Sequence, residues 1–158
     1  MSISDFTNLT GEIRIRLGAM YQQIPNNVQA GEALQDGQFV YLSTGGRYYL
    51  ASPTECATHL VLKSGVPRVS CVDIQKTGSV ETGEPVMAVT GGPGTVEIPV
   101  AASVVKGIEL TVNAEGWATP RTALAGYCIG YALEDVTVTG ATPVMCECFI
   151  TLPAKYQV

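Results

Sequence analysis

The chain has 158 residues, which is enough for one domain with a substantial core and short for two. Apolar residues make up 46% and charged residues 15%, below the roughly 25% of an average soluble domain, so we expect a partner to cover part of the exterior. The net charge is −5 and the nine Lys and Arg are scattered, which argues against the basic patch that nucleic acid requires.

Targeting signals and cysteines are the next constraint. No apolar run approaches the roughly 20 residues of a membrane helix, and residues 1–13 lack the basic region and apolar core of a secretory signal. The sequence therefore predicts a protein made in a cytoplasm, with no membrane partner. Its cysteines are odd in number, which predicts reduced, buried thiols. They are Cys56, Cys71, Cys128, Cys146 and Cys148.

The first third of the chain predicts an arm followed by strands. Residues 1–10 are polar and predict an N-terminal arm. In residues 11–20, Ile13, Ile15 and Leu17 alternate with charged or small residues, as in a half-buried strand. Residues 22–37 predict a long connection. Residues 38–52 predict a hairpin that turns at Thr44-Gly45-Gly46, and short strands are expected over residues 59–63 and 68–74.

Residues 85–133 organise the rest. Residues 85–90 and 95–100 flank Gly91-Gly92-Pro93-Gly94 and predict a hairpin. A second hairpin is expected from residues 108–113, the turn at Glu115-Gly116 and a return arm that begins at Trp117. Further strands are predicted over 125–133, 136–138 and 144–150, and residues 153–158 are expected to leave the domain as a C-terminal tail.

These elements predict an all-β fold, a small barrel or sandwich built of hairpins with an N-terminal arm and long loops. A single β domain is expected over residues 11–152. Within it, the pattern Gly-x-x-apolar-x-apolar-x-x-x-Gly occurs from Gly37 and again from Gly107, so residues 37–52 and 107–119 are candidates for a duplicated hairpin.

The sequence contains no convincing catalytic or metal-binding motif, and we predict that the protein is not an enzyme and binds no metal or cofactor. Cys146-Glu147-Cys148 places two thiols on one strand face, but zinc would need two further ligands. His59 is the sole histidine and lies in no nucleophile motif. The Gly91–Gly94 cluster lacks the Lys-Ser/Thr of a phosphate loop. A biotinyl or lipoyl carrier would need a lysine at a hairpin tip, and these tips have none.

The order of short sequence motifs from residue 83 to residue 149 resembles the C-terminal half of small β-rich decoration, or cement, proteins of tailed-phage capsids. The matching motifs are Gly83-Glu84-Pro85-Val86, Val96-Glu97-Ile98-Pro99, Lys106-Gly107-x-x-Leu110-x-Val112, Ile129-Gly130-Tyr131-Ala132-Leu133-Glu134-Asp135 and the closing strand 144–149. The resemblance implies a non-enzymatic homotrimer that binds the major capsid protein on the outside of the virion and stiffens the shell.

Aromatic and arginine residues are the candidates for the oligomer or capsid interface, because interfaces concentrate these residue types. They are Phe6, Arg14, Arg16, Tyr41, Tyr48, Tyr49, Trp117 and Tyr156. Two alternatives remain open: a phage fibre or tail component, and a carbohydrate-binding β module that uses the aromatic hairpin.

Overall fold

The computed structural model describes residues 14–23, 28–62, 79–123 and 125–157, with side chains from residue 28 onward. All regular structure in this part of the chain is β, as predicted, and it forms twelve strands. They are β1 Arg14–Gln23, β2 Gln29–Ala30, β3 Leu34–Gln35, β4 Phe39–Leu42, β5 Arg47–Leu50, β6 His59–Val61, β7 Ser79–Val80, β8 Ala88–Val100, β9 Glu109–Val112, β10 Ala118–Pro120, β11 Gly126–Ala132 and β12 Val144–Gln157. No helix of the described residues is long and apolar enough to cross a membrane.

Strand β8 is the centre of the fold. Along one edge it pairs antiparallel with β1, from Ala88 to Glu97. Along the other edge it pairs first with β6, at Ala88 and Val89, and then with β12, from Gly91 to Val100. Pairing along both edges satisfies the backbone hydrogen bonds of β8, and most of its residues are buried.

Five strands close into a small barrel. They follow the order β10-β9-β11-β12-β8, and a parallel bridge between Ala118 and Val100 joins the last strand to the first. Closure removes the open edges of these strands. Beyond β8 the sheet continues through β6, β4, β5 and β2, while β3 and β7 form a separate two-stranded sheet.

The core consists of two hydrophobic clusters. The larger cluster takes buried side chains from every barrel strand, including Ile98, Leu110, Ala118, Ile129 and Ile150. Cys146 and Cys148 are fully buried within it. The smaller cluster lies under the β4–β5 hairpin and contains Leu34, Val40, Tyr48, Val61 and Val86. At the start of β8 and in its neighbouring strand β6, successive residues point alternately into the two clusters. The same strands therefore connect the larger cluster to the smaller one.

Two of the predicted hairpins form. Strands β4 and β5 are joined by a turn at residues 43–46, and β9 and β10 by a turn at residues 113–116. Asn113 builds the second turn, because its Oδ1 accepts hydrogen bonds from the Glu115 and Trp117 amides. This turn docks on the first hairpin: the Phe39 amide donates to the Gly116 carbonyl at 2.7 Å.

The predicted hairpin at Gly91–Gly94 is wrong. Residues 88–100 form one continuous strand, and the glycines produce irregular pairing within it instead of a reversal. The register shifts between Gly18 and Met20 in β1 and between Ile150 and Leu152 in β12. Gly91 and Gly92 adopt positive φ, and a Cβ on Gly92 would lie 2.6 Å from the Ile150 carbonyl oxygen. Here, glycine permits close backbone approach in a bulged strand.

The predicted C-terminal tail also differs from the structure. Strand β12 continues to Gln157, and the Gly126↔Gln157 and Tyr127↔Tyr156 pairs tie it to β11. Backbone pairing and the burial of Leu152 and Ala154 inside the larger cluster explain why residues 153–157 stay in the domain.

Some predictions lie outside the described residues. They are the N-terminal arm over residues 1–10, the strand over 68–74 and the environment of Cys71. The strand predicted over 11–20 is present as β1 from Arg14, whereas residues 136–138 contribute only the Val104↔Val136 bridge.

Candidate functional site

The predicted interface residues are spread over several parts of the molecule. Phe6 lies outside the described residues, and Arg14 and Arg16 are described by their backbone alone, in β1. Arg14 is the register partner of Glu97 in β8. The five remaining aromatics occupy three separate places, namely the β4–β5 hairpin, the β9–β10 turn and the end of β12.

Tyr48 is not a surface residue, and its prediction as an interface residue is corrected. Its relative exposure is 1%, and its ring meets His59 edge-on with 5.1 Å between ring centroids. Burial raises the pKa of Tyr48 and lowers the pKa of His59, since both charged forms lose hydration. Alternation along β5 sends Tyr48 into the smaller cluster, and its neighbours on the strand point the other way.

Tyr41 and Tyr49 form a cross-strand pair on the opposite face of this hairpin. Their ring centroids lie 6.2 Å apart, and both side chains are half-buried. The Tyr49 ring covers Gly31 so closely that a Cβ at position 31 would overlap it. Tyr49 therefore serves the packing of this lobe, which leaves Tyr41 as the more available aromatic of the two.

Trp117 borders an apolar groove of about 480 Å³. Its lining is free of charged side chains and consists of Gln35, Pro99, Trp117, Thr142, Pro143, Val144 and Met145. Val144 is 39% exposed, and Trp117 is half-buried. A concave surface of this composition is suited to an apolar side chain from a protein partner.

A second surface lies on β11 and β12, and of its aromatic residues only Tyr156 was predicted. Tyr156 packs edge-on against Tyr127, with ring centroids 5.3 Å apart. Tyr131 stacks on Phe149 at 5.0 Å, with an angle of 20° between the rings. Tyr131 and Phe149 each alternate with buried neighbours along their strands, and this pattern indicates that both side chains face outward. The contact between them depends on the register of β11 against β12, which the sequence does not reveal.

The cysteines have mixed environments. Cys146 and Cys148 are buried as predicted, Cys56 and Cys128 are half-buried, and all four are free thiols. The Cys148 thiol acts as a hydrogen-bond donor towards Cys146, and this bond together with burial raises the pKa of Cys148, so the group stays a neutral thiol at physiological pH. Among the described residues, no group of three or more His, Cys, Asp or Glu is placed to hold a metal ion.

Comparison with known proteins gives a structural likeness alone. No protein-family model matches the chain, and no curated protein matches it in sequence. The fold is similar to a crystal structure described as head fiber gp8.5 N base in bacteriophage phi29, with a TM-score of 0.58 and 13% sequence identity. The match covers 87% of this chain and 98% of that chain. At this identity the likeness establishes a shared fold over almost the whole of both chains.

Proposed function

We propose that this protein is a non-enzymatic structural component of a tailed-phage virion that binds the outer surface of the capsid and stabilises the shell. The observation that carries the proposal is the fold likeness to a phage head fiber base over 98% of that chain. The sequence motifs between residues 83 and 149 that resemble decoration proteins point independently to the outside of a phage head. Assembly would occur in the host cytoplasm.

The surface chemistry supports a protein partner. Charged residues are sparse in the sequence, and Val144 in the groove beside Trp117 is a large apolar side chain that is 39% exposed. We propose that the groove beside Trp117 takes an apolar side chain of the major capsid protein. A homotrimer would supply three such grooves, and their combined attachment would be stronger than any single contact.

A fibre base is the second candidate, because the similar structure is itself described as the N base of a head fiber. Both candidates attach to the head, and they differ in what projects from it. Electron microscopy of shells that carry the protein separates them: a decoration protein gives compact surface knobs, whereas a fibre base gives knobs from which filaments extend.

The experiment pairs a groove variant with a matched surface variant. Val144→Glu places a charge in the apolar groove, while Val105→Glu places the same charge at a site that is 61% exposed and away from the groove. We expect wild type and Val105→Glu to raise the temperature at which capsid shells rupture, and Val144→Glu to raise it far less.

Two results would count against the proposal. Shells whose rupture temperature is unchanged by the wild-type protein would contradict the stabilising function. Equal protection by Val144→Glu and wild type would remove the groove from the interface.

A further inference from the structure

Tyr131 and Phe149 stack on each other and form one wall of a groove. We call this stacked pair the aromatic shelf. The two residues are register partners on β11 and β12. Close approach of the strands holds them in place, because Gly130 has no side chain and a Cβ there would overlap the Phe149 carbonyl oxygen. Tyr131 remains 39% exposed. One aromatic ring thus backs the other and leaves a supported ring surface open to solvent.

Polar groups of several kinds surround this shelf. Glu109 on β9 lies at one side, and its carboxylate is fixed by an ion pair of 2.8 Å with Arg121. Thr151, Lys155 and Gln157 of β12 line the same groove. The groove therefore combines a carboxylate acceptor, an ammonium donor, an amide and a hydroxyl around an apolar ring.

The size and charge of the groove narrow the class of ligand. Its volume is about 210 Å³, below the roughly 300–1,000 Å³ of sites for drug-sized ligands, so it suits a single ring with its substituents. A nucleotide combines a base, a sugar and a phosphate, which is more than a groove of this volume suits, and the protein's net charge of −5 disfavours a polyanion. A pyranose ring is neutral, has an apolar face that can lie on an aromatic ring, and carries hydroxyls that both donate and accept hydrogen bonds.

We propose that the aromatic shelf binds one neutral sugar unit of a glycan, with the ring stacked on Tyr131 and its hydroxyls bonded to the Glu109 carboxylate and the Lys155 ammonium. Attachment to a capsid and recognition of a glycan use different surfaces, the Trp117 groove and the aromatic shelf. A virion protein with this arrangement would present a sugar-binding face to its surroundings.

The test titrates the purified full chain with maltotetraose, cellotetraose and chitotetraose and follows amide chemical shifts. We expect at least one oligosaccharide to bind and to shift amides of β11 and β12. Tyr131→Ala should weaken that binding about tenfold, by analogy with the loss of a stacked ring elsewhere. Tyr131→Phe should keep the affinity within about threefold, because the ring remains.

Two further variants complete the design. Tyr41→Ala removes an aromatic from a different face and should bind as the wild type does. Lys155→Met keeps the length of an exposed side chain but removes its donor, and should weaken binding without unfolding the protein. If Tyr131→Ala fails to fold, Tyr131→Phe and Lys155→Met still decide the question.

The proposal is overturned if none of the three sugars shifts any amide at about 10 mM sugar, a concentration at which a site with a Kd of about 1 mM would be roughly nine-tenths occupied. The proposal is equally overturned if Tyr131→Ala binds the sugar as tightly as the wild type does. It is also overturned if Tyr131→Ala changes the solution mass of the protein while neither the variant nor the wild type binds a sugar. The last result would identify the shelf as a contact between subunits. Because free protein is used, failure here leaves capsid attachment untouched.

Discussion

Gly130 lies where a side chain would meet the backbone of the paired strand. Its φ is +149°, and a Cβ would overlap the carbonyl oxygen of Phe149 on the paired strand. Gly130→Ala should therefore lower the free energy of unfolding by about 2–4 kcal/mol in urea titrations.

Two other glycines provide controls for Gly130→Ala. Gly126 has a φ of +130° but open space around its Cβ position, and Gly140 has open space and no positive φ. We expect the loss of stability to be largest for Gly130→Ala, smaller for Gly126→Ala and smallest for Gly140→Ala. An equal loss at positions 130 and 126 would show that backbone conformation matters and that strand approach does not.

His59 gives the molecule a specific dependence on pH. Burial lowers its pKa in the folded state, so below the unfolded pKa of about 6.5 the unfolded chain binds more protons than the folded chain. The contribution of neutral His59 to the free energy of unfolding is therefore fully present above pH 6.5. It declines as the pH falls towards the pKa that His59 has in the folded state.

The measurement is the urea midpoint at pH 7.5 and at pH 5.0 for wild type and His59→Gln. We expect the wild type to lose more stability between these two values than the variant does, because other titrating groups are common to both. Identical losses would mean that His59 accepts a proton as readily in the folded state as in the unfolded one.

At the level of elements, the two hairpins offer a matched pair of turn glycines. Gly46 and Gly116 have φ values of +79° and +82°, so alanine brings a similar backbone cost of about 1 kcal/mol at both. A Cβ at position 46 meets nothing within 4 Å, whereas at position 116 it meets Leu50 Cδ2 at 2.8 Å and the Phe39 carbonyl oxygen at 3.2 Å.

Gly116→Ala should therefore destabilise the protein by about 1–3 kcal/mol more than Gly46→Ala. The difference between the two midpoints in thermal unfolding measures the docking of the β9–β10 turn on the β4–β5 hairpin. Equal midpoints would show that this docking contributes nothing to stability.

The strands and hairpins show which parts of the fold could be predicted from the sequence. Alternation predicted β1, the β4–β5 and β9–β10 hairpins and β11, since local pattern and turn residues determine these elements. The Gly91–Gly94 cluster was misassigned because turn and bulge use the same residues, and non-local pairing with β1 and β12 decides between them. Residues 153–157 were misassigned for a similar reason, as their pairing partner, residues 126–128, lies far away in sequence.

The candidate site was harder to predict than the fold. Tyr48 and Tyr49 are neighbours in sequence, yet one is buried and the other is half-buried, and only the strand register tells them apart. The aromatic shelf likewise joins Tyr131 to Phe149 across 18 positions, a separation that periodicity cannot bridge.

At the scale of the whole molecule, β8 links the two hydrophobic clusters, since Val89 belongs to the larger and Ala88 to the smaller. We therefore expect the clusters to unfold together. Leu34→Ala, in the smaller cluster, should cost about 2–5 kcal/mol. The change should appear equally in far-ultraviolet circular dichroism and in the fluorescence of Trp117, which lies beside the barrel. A Trp117 transition unaffected by Leu34→Ala would mean that the barrel unfolds independently.

Sedimentation with capsid shells is the decisive experiment for the proposed attachment to the outside of a phage head. Purified protein is mixed with phage capsid shells that lack it, and the amount of protein that pellets with the shells is measured as a function of protein concentration. We expect saturable binding, with a fixed number of copies per shell that is a multiple of the number of subunits in the oligomer measured by light scattering. Protein that stays in the supernatant at every concentration would rule out attachment to these shells.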